Sequence, residues 1–275
     1  MRFAVSNIAL TAFDHGRELA RLPALGIEGV EVAPSRVWRD TWKGLSPADV
    51  GRYRKTVEAA GLGVVGLHSL FFDQPRLGLF KASMERTESL DFLEHLSKVC
   101  RDLGGRTLIW GGGRRRGAIS TAAARAEAIR FMGELARRIE GHGTCFCFEP
   151  LGPNDSDFIN SALDSLAIVE KVASPGLKVQ LDAKALVENG EATIETFKAV
   201  RSELVHFHAN EPGLGTFGGS GKVDHAALGA MLEEIGYGGF VSIEQRLSND
   251  ADPLADVAKS VGVLKRCYGS ARATA

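Results

Sequence analysis

Val5-Ser6-Asn7-Ile8-Ala9-Leu10 closes the first apolar run of the chain and contains no glycine. That absence decides between two architectures. Short β-rich runs at 3–7, 29–34, 63–70, 106–111, 144–150, 177–183, 204–210 and 239–246 alternate with longer amphipathic stretches throughout. Such alternation, with no linker or low-complexity interval, builds either a closed barrel or an open doubly wound sheet. An open sheet that binds a dinucleotide needs glycines in its first turn, so that backbone can approach the pyrophosphate. The later Gly111-Gly112-Gly113 lacks the GxGxxG spacing, and no Walker pattern occurs. The reading is therefore α/β, a single (β/α)8 TIM barrel over residues 1–275, with about 270–275 as a loose tail.

Punctuation agrees. Helices are predicted over 14–25, 46–60, 85–103, 121–139, 161–173, 194–202, 224–235 and 253–267. Ser46-Pro47 places a cap before proline at the first helical position. Gly26, Gly61, Gly104, Gly141, Gly236 and Gly269 follow the helical runs, as left-handed C-terminal residues do.

Composition narrows the function. Hydrophobic residues at 44% and charged residues at 24% suit a globular chain with a large core. A net charge of −1 gives no global field to attract nucleic acid or an anionic membrane. No 18-residue apolar run or signal-peptide layout is present, so a cytoplasmic protein without a membrane partner is expected. Cys100, Cys145, Cys147 and Cys267 do not make a disulfide framework and read as small core groups. Arg114-Arg115-Arg116 reads as a solvated loop, with a contact to an anionic substrate as the alternative.

In a barrel of this kind chemistry gathers at the carboxyl ends of the strands. Runs five to eight end Phe146-Cys147-Phe148-Glu149, Val179-Gln180-Leu181-Asp182, Val205-His206-Phe207-His208 and Val241-Ser242-Ile243-Glu244. Successive strand residues face opposite sides. If Phe148, Leu181, Phe207 and Ile243 face the helices, then Glu149, Asp182, His208 and Glu244 all point inward. Three carboxylates cannot share an apolar cavity without a large desolvation cost, and a divalent cation removes it. The oxygen-rich set suits Mn²⁺, Mg²⁺ or Co²⁺ better than copper, with Zn²⁺ also compatible. Such a site would chelate a carbonyl and its neighbouring hydroxyl and stabilise an enediolate, with Glu149 and Glu244 as the acid/base pair.

Taken in order, Gly26-Ile27-Glu28-Gly29-Val30-Glu31, Glu149-Pro150, Asp182 with Gly190 eight residues on, His206-x-His208 with Asn210-Glu211, Gly219-Ser220-Gly221-Lys222-Val223-Asp224 and Glu244 resemble the xylose-isomerase-like barrel superfamily. The likeness runs from residue 3 to about residue 268. Members include ketose 3-epimerases, hydroxypyruvate isomerases, inosose isomerases and dehydratases, and apurinic endonucleases. The resemblance implies one Mn²⁺- or Mg²⁺-type ion at Glu149, Asp182, His208 and Glu244, and often a dimer or tetramer.

Two positions depart from the pattern. Many relatives carry a histidine three residues after the strand-six aspartate, where this chain has Ala185. Ketohexose epimerases often carry an arginine six residues after the strand-seven histidine, where this chain has Leu214. The leading expectation is an isomerase or epimerase of a small sugar, polyol or keto-sugar. The alternatives are a lyase or dehydratase on a keto-inositol or 3-keto-glycoside, and a non-catalytic ligand-binding barrel. DNA repair is not expected, because Ala185 and Trp110-Gly111 occupy places where extra metal-binding histidines would be sought.

Expected substrate contacts are His68, Trp110, Lys184, Glu211 and Arg246. Arg246 would either pair with Glu211 or Glu244, or meet an anionic substrate group. Glu31, Asn210 and Lys222 also lie near the expected mouth. His206 is expected to be buried one layer below His208, making a supporting hydrogen bond without ligating the ion. His15, His95, His142 and His225 fall in helices or turns and are expected at the surface.

Overall fold

The structure is a computed structural model that describes residues 1–269, so the tail expected at 270–275 lies outside the described residues. Eight parallel strands close into a barrel in sequence order. They are β1 (Arg2–Ser6), β2 (Gly29–Val32), β3 (Gly63–Leu67), β4 (Thr107–Trp110), β5 (Cys145–Phe148), β6 (Leu177–Asp182), β7 (Leu204–Ala209) and β8 (Phe240–Ile243). Closure is direct, because β1 pairs with β2 on one side and with β8 on the other. Every strand falls where the apolar runs placed it; the carboxyl ends are one to three residues shorter, and β1 starts one residue earlier.

The helices are α1 (Gly16–Leu19), α2 (Pro47–Ala59), α3 (Ser83–Leu103), α4 (Thr121–Arg138), α5 (Ala162–Val172), α6 (Ala183–Glu188), α7 (Ile194–Val200), α8 (His225–Glu234) and α9 (Pro253–Tyr268). Two differ from expectation. The first predicted helix breaks into α1 and a 3-10 turn at Pro23–Leu25, because proline lacks the N–H that an α-helix interior needs. The short α6 is additional, and Asp182 caps it by accepting from Ala185 N. Ser46 forms the expected cap of α2, reinforced by Asp49 reaching back to the Ser46 N–H. Gly26 and Gly236 close their helices at φ 83° and 71°, in the left-handed region. Gly269, at φ −73°, does not.

Parity follows the sequence. Phe148 packs against Trp110, and Phe207 against Phe197 and Tyr268, so the large side chains face the helix layer. Cys147, Gln180, His206 and Ser242 are left for the interior, all fully buried. His208 stands beside Asp182 on one neighbouring strand and Ser242 on the other, which sets the register of the functional end.

Candidate metal centre

Four strand tips converge. Glu149, Asp182, His208 and Glu244 offer ligand atoms that all lie within 4.8 Å of one another. His208 Nδ1 is the centre of the group. It lies 3.0 Å from Glu149 Oε1, 3.4 Å from Glu244 Oε2 and 3.8 Å from Asp182 Oδ2. The first three residues are buried and Glu244 is partly so.

Burial and mutual charge shift the titration of the cluster's members in opposite directions. Burial pushes the Asp182 carboxyl up to about 8, and the nearby charges of Glu149 and Glu244 add to the rise. Burial would pull His208 down, but Glu31, Glu244 and Glu149 outweigh it and raise the imidazole well above its ordinary value. Burial would likewise raise Glu244, yet His208 and His68 hold it down at about 2. Raised values at Asp182 and His208 are the response of a crowded acidic cluster, and a divalent cation would relieve the same crowding. Donor identity, spacing and burial all fit a hard divalent cation.

Supporting groups hold the cluster in shape. Asn210 Nδ2 donates to Asp182 Oδ2 at 2.5 Å and to Glu244 Oε2 at 2.9 Å, while its Oδ1 accepts from Lys184 N at 3.0 Å. Gln180, one layer below Asp182 on β6, donates to Glu149 Oε1 at 3.3 Å. The sequence signal for Gln180 was its inward parity with Asp182, two residues away. His68 meets Glu244 Oε1 through Nδ1 at 3.3 Å and Ser6 Oγ through Nε2 at 2.6 Å. It was expected at the substrate, but both its ring nitrogens face protein groups.

The arginine triplet departs from its reading as a solvated loop. Arg114 is 1% exposed. It donates to the carbonyls of Gly111 (2.6 Å), Phe158 (2.6 Å), Ile159 (3.1 Å) and Glu149. Burial lowers it to about 10, offset in part by Glu149, so it remains a cation at neutral pH. It ties the ends of β4 and β5 to the loop that follows. Arg115 and Arg116 also bond backbone carbonyls.

The other four expected substrate contacts differ in how the fold holds them. Trp110 faces outward because its neighbour Ile109 takes the inward position; it packs against Phe71, Phe131 and Phe148 and donates to Gly112 O. Glu211 is buried and accepts from Gly218 N and Ser220 Oγ, facing His225 Nε2 at 3.1 Å, so it ties down the loop after β7. Arg246 is exposed and, among the described residues, pairs with neither Glu211 nor Glu244. Strand parity no longer governs it, since β8 ends at Ile243. Lys184 sits at the rim with Nζ 2.5 Å from Asp155 Oδ2. Lys222 is exposed.

Among the remaining histidines, His15 and His225 correct the surface expectation. His15 is buried against Thr11 O and Tyr53 Oη, and His225 against Tyr268 Oη and Glu211. A helix or turn assignment carries no information on which side a residue faces.

A model of the xylose isomerase-like TIM barrel matches residues 19–267. The chain belongs to that family. It is 27% identical over 214 residues to an L-ribulose 3-epimerase of Mesorhizobium japonicum (strain LMG 29417 / CECT 9101 / MAFF 303099), covering 76% of this chain and 71% of that one. The fold matches D-psicose 3-epimerase from Clostridium cellulolyticum H10, solved with D-tagatose, at a TM-score of 0.82 with 18% identity over 98% and 99% of the two chains. It also matches a 3-keto-D-glucoside 4-epimerase from E. coli at a TM-score of 0.79, with 18% identity over 97% and 100%. Among the described residues, no helix is long and apolar enough to cross a membrane.

Proposed function

We propose that this protein is a divalent-metal-dependent isomerase or epimerase of a small sugar, polyol or keto-sugar. The observation that carries the reading is the convergence of three carboxylates and one imidazole, from four adjacent strand tips, on one buried point. Family membership and the 3-epimerase relative support the carbohydrate class. A divalent cation held by Glu149, Asp182, His208 and Glu244, taken as Mn²⁺, supplies a Lewis acid that acidifies the C–H beside a substrate carbonyl.

The protein's own groups then move the proton. Glu149 and Glu244 form the exchanging pair: one carboxylate takes the proton from carbon and the other holds the one that returns. Asn210 and His68 fix Glu244, and Gln180 and Arg114 fix the side chain and backbone of Glu149. Asp182 is engaged by Asn210 and by the first turn of α6, which suits a ligand more than a proton carrier. The site works in the cytoplasm, where the four thiols stay reduced, in a chain that assembles as a dimer or tetramer; light scattering on the purified protein tests the assembly.

The test is a screen of ketoses, 3-keto-glycosides and keto-inositols with added Mn²⁺ in D₂O, read by exchange of the proton next to the carbonyl. Glu149→Gln and Glu244→Gln should each abolish exchange and leave the thermal transition near that of the parent. Full exchange in both variants overturns the proposal. A second reading, a lyase acting on the same substrates, is favoured by Ala185 and Leu214, which leave out two groups that relatives commonly carry. Elimination would announce itself as a conjugated enone absorbing in the near ultraviolet. If calorimetry detects no Mn²⁺ binding, the chain is a ligand-binding barrel instead.

A further inference from the structure

Glu31 is a charged residue that the proposed reaction does not use, and it is wholly buried. It lies on β2, which β1 separates from β8, with β7 next beyond. Its two oxygens lie 3.1 Å from His208 Nε2. Ser242 Oγ donates to Oε2 at 2.7 Å. Oε1 also lies 3.1 Å from His206 Nε2, although neither ring nitrogen of His206 has an aligned hydrogen-bond partner. His208 therefore has two occupied edges. Nδ1 faces Glu149, Asp182 and Glu244, and among the described residues Nε2 has Glu31 as its polar partner.

We propose that Glu31 is a positioning residue for the metal centre: it accepts the Nε2–H of His208 and so fixes the imidazole with its Nδ1 lone pair toward the ion. The inference rests on the proposed metal site and adds a residue to it. A neutral imidazole has one donor and one acceptor nitrogen, and whichever nitrogen keeps the proton cannot ligate. An ionised carboxylate only accepts, so Glu31 selects the tautomer that the cation needs and makes the ligating nitrogen more basic. Ser242 in turn aims Glu31. The pairing also explains a carboxylate with no exposure at this depth, where an unpaired charge would be costly.

The alternative use of the same atoms is a second cation held by Glu31, His206 and His208 Nε2, whose ligand atoms also lie close together. Against it, that group would leave His208 bridging two ions, and the opening at the amino-terminal end of the barrel that His206 lines carries Arg2, Arg106 and Arg201 and no carboxylate to complete a second site.

The experiment is isothermal titration of Mn²⁺ into metal-free protein. One ion per chain is expected for the parent. Glu31→Gln, which keeps the shape and removes the charge, should weaken binding by about 10- to 100-fold. In a His208→Gln background the same Glu31→Gln change should have no further effect on affinity, because Glu31 would act only through the imidazole. Glu31→Asp should recover part of the loss. Ser242→Ala offers a milder perturbation that also covers the case of an unfolded Glu31→Gln protein, and about a threefold to tenfold rise in Kd is expected. Unchanged affinity in Glu31→Gln or in Ser242→Ala, an equal loss with and without His208, or two ions per parent chain would each overturn the inference. Failure of the parent to bind any ion would instead overturn the metal reading beneath it.

Discussion

Gly111→Ala tests the placement of the proposed base without touching any charged group. Gly111 follows β4, and its backbone is not in the left-handed region, so alanine is conformationally allowed there. A Cβ built at this position would stand 2.2 Å from Glu149 Oε2, against 3.4 Å for an ordinary van der Waals contact. The carboxylate must therefore retreat by about 1 Å, since the Cβ is fixed to the strand end and the glutamate tip is the part that can give. Removing a glycine from an allowed position also restricts the unfolded chain, which contributes roughly 0.4–1 kcal/mol of stability and offsets part of the strain. The folded protein should thus survive with its thermal transition within a few degrees of the parent. Proton transfer is less forgiving, because a displacement of about 1 Å at a reacting group costs on the order of 100-fold in rate. Deuterium exchange at the carbon next to the substrate carbonyl measures the rate, and Mn²⁺ titration reports the accompanying loss of a ligand. Parent-like exchange and Mn²⁺ affinity in Gly111→Ala would refute the placement of Glu149 at the reacting centre.

Mn²⁺ affinity should rise with pH between about 6 and 9. Asp182, raised to about 8, and His208, raised above its ordinary value, both hold protons that the ion must displace. For both groups the folded pKa lies above the unfolded one, so their contribution to metal-free stability is present at low pH and fades as pH climbs through the folded value. The thermal shift produced by Mn²⁺ should accordingly be larger at pH 9 than at pH 6, and a shift that shrinks with pH would contradict this. Asn210→Ala should weaken Mn²⁺ binding by about 10-fold or more, as Asp182 and Glu244 lose their shared donor; titration calorimetry decides it. Trp110→Ala should lower stability by about 3–5 kcal/mol through the cavity it leaves beneath α4, measured by urea unfolding. A stable Trp110→Ala protein with lost substrate affinity would return that residue to the site.

Local periodicity carried a great deal of this protein in its sequence. The alternation of apolar runs with amphipathic stretches fixes eight β-then-α units, and the missing glycine after Val5 excludes the open dinucleotide sheet. Parity within four strands then aims Glu149, Asp182, His208 and Glu244 at one point. These are short-range properties, set by a two-residue repeat and by which side chains suit the helix layer, so they can be read along the chain. Contacts across the barrel have no such repeat. Glu31 reaches His208 over 177 positions and Ser242 over 211, because closure of β1 on β8 brings the first and last strands together. Arg114 became a buried clamp for the same reason: its carbonyl partners at Phe158 and Ile159 come from a loop that only folding sets beside it. Glu211 and Arg246 lie just beyond their strands, where the alternation stops and the path of the following loop decides which way a side chain points, whereas Trp110 ends β4 in register with Phe148 and obeys the alternation by facing the helices. Tertiary closure therefore decided which polar groups serve the metal ligands and which serve the frame.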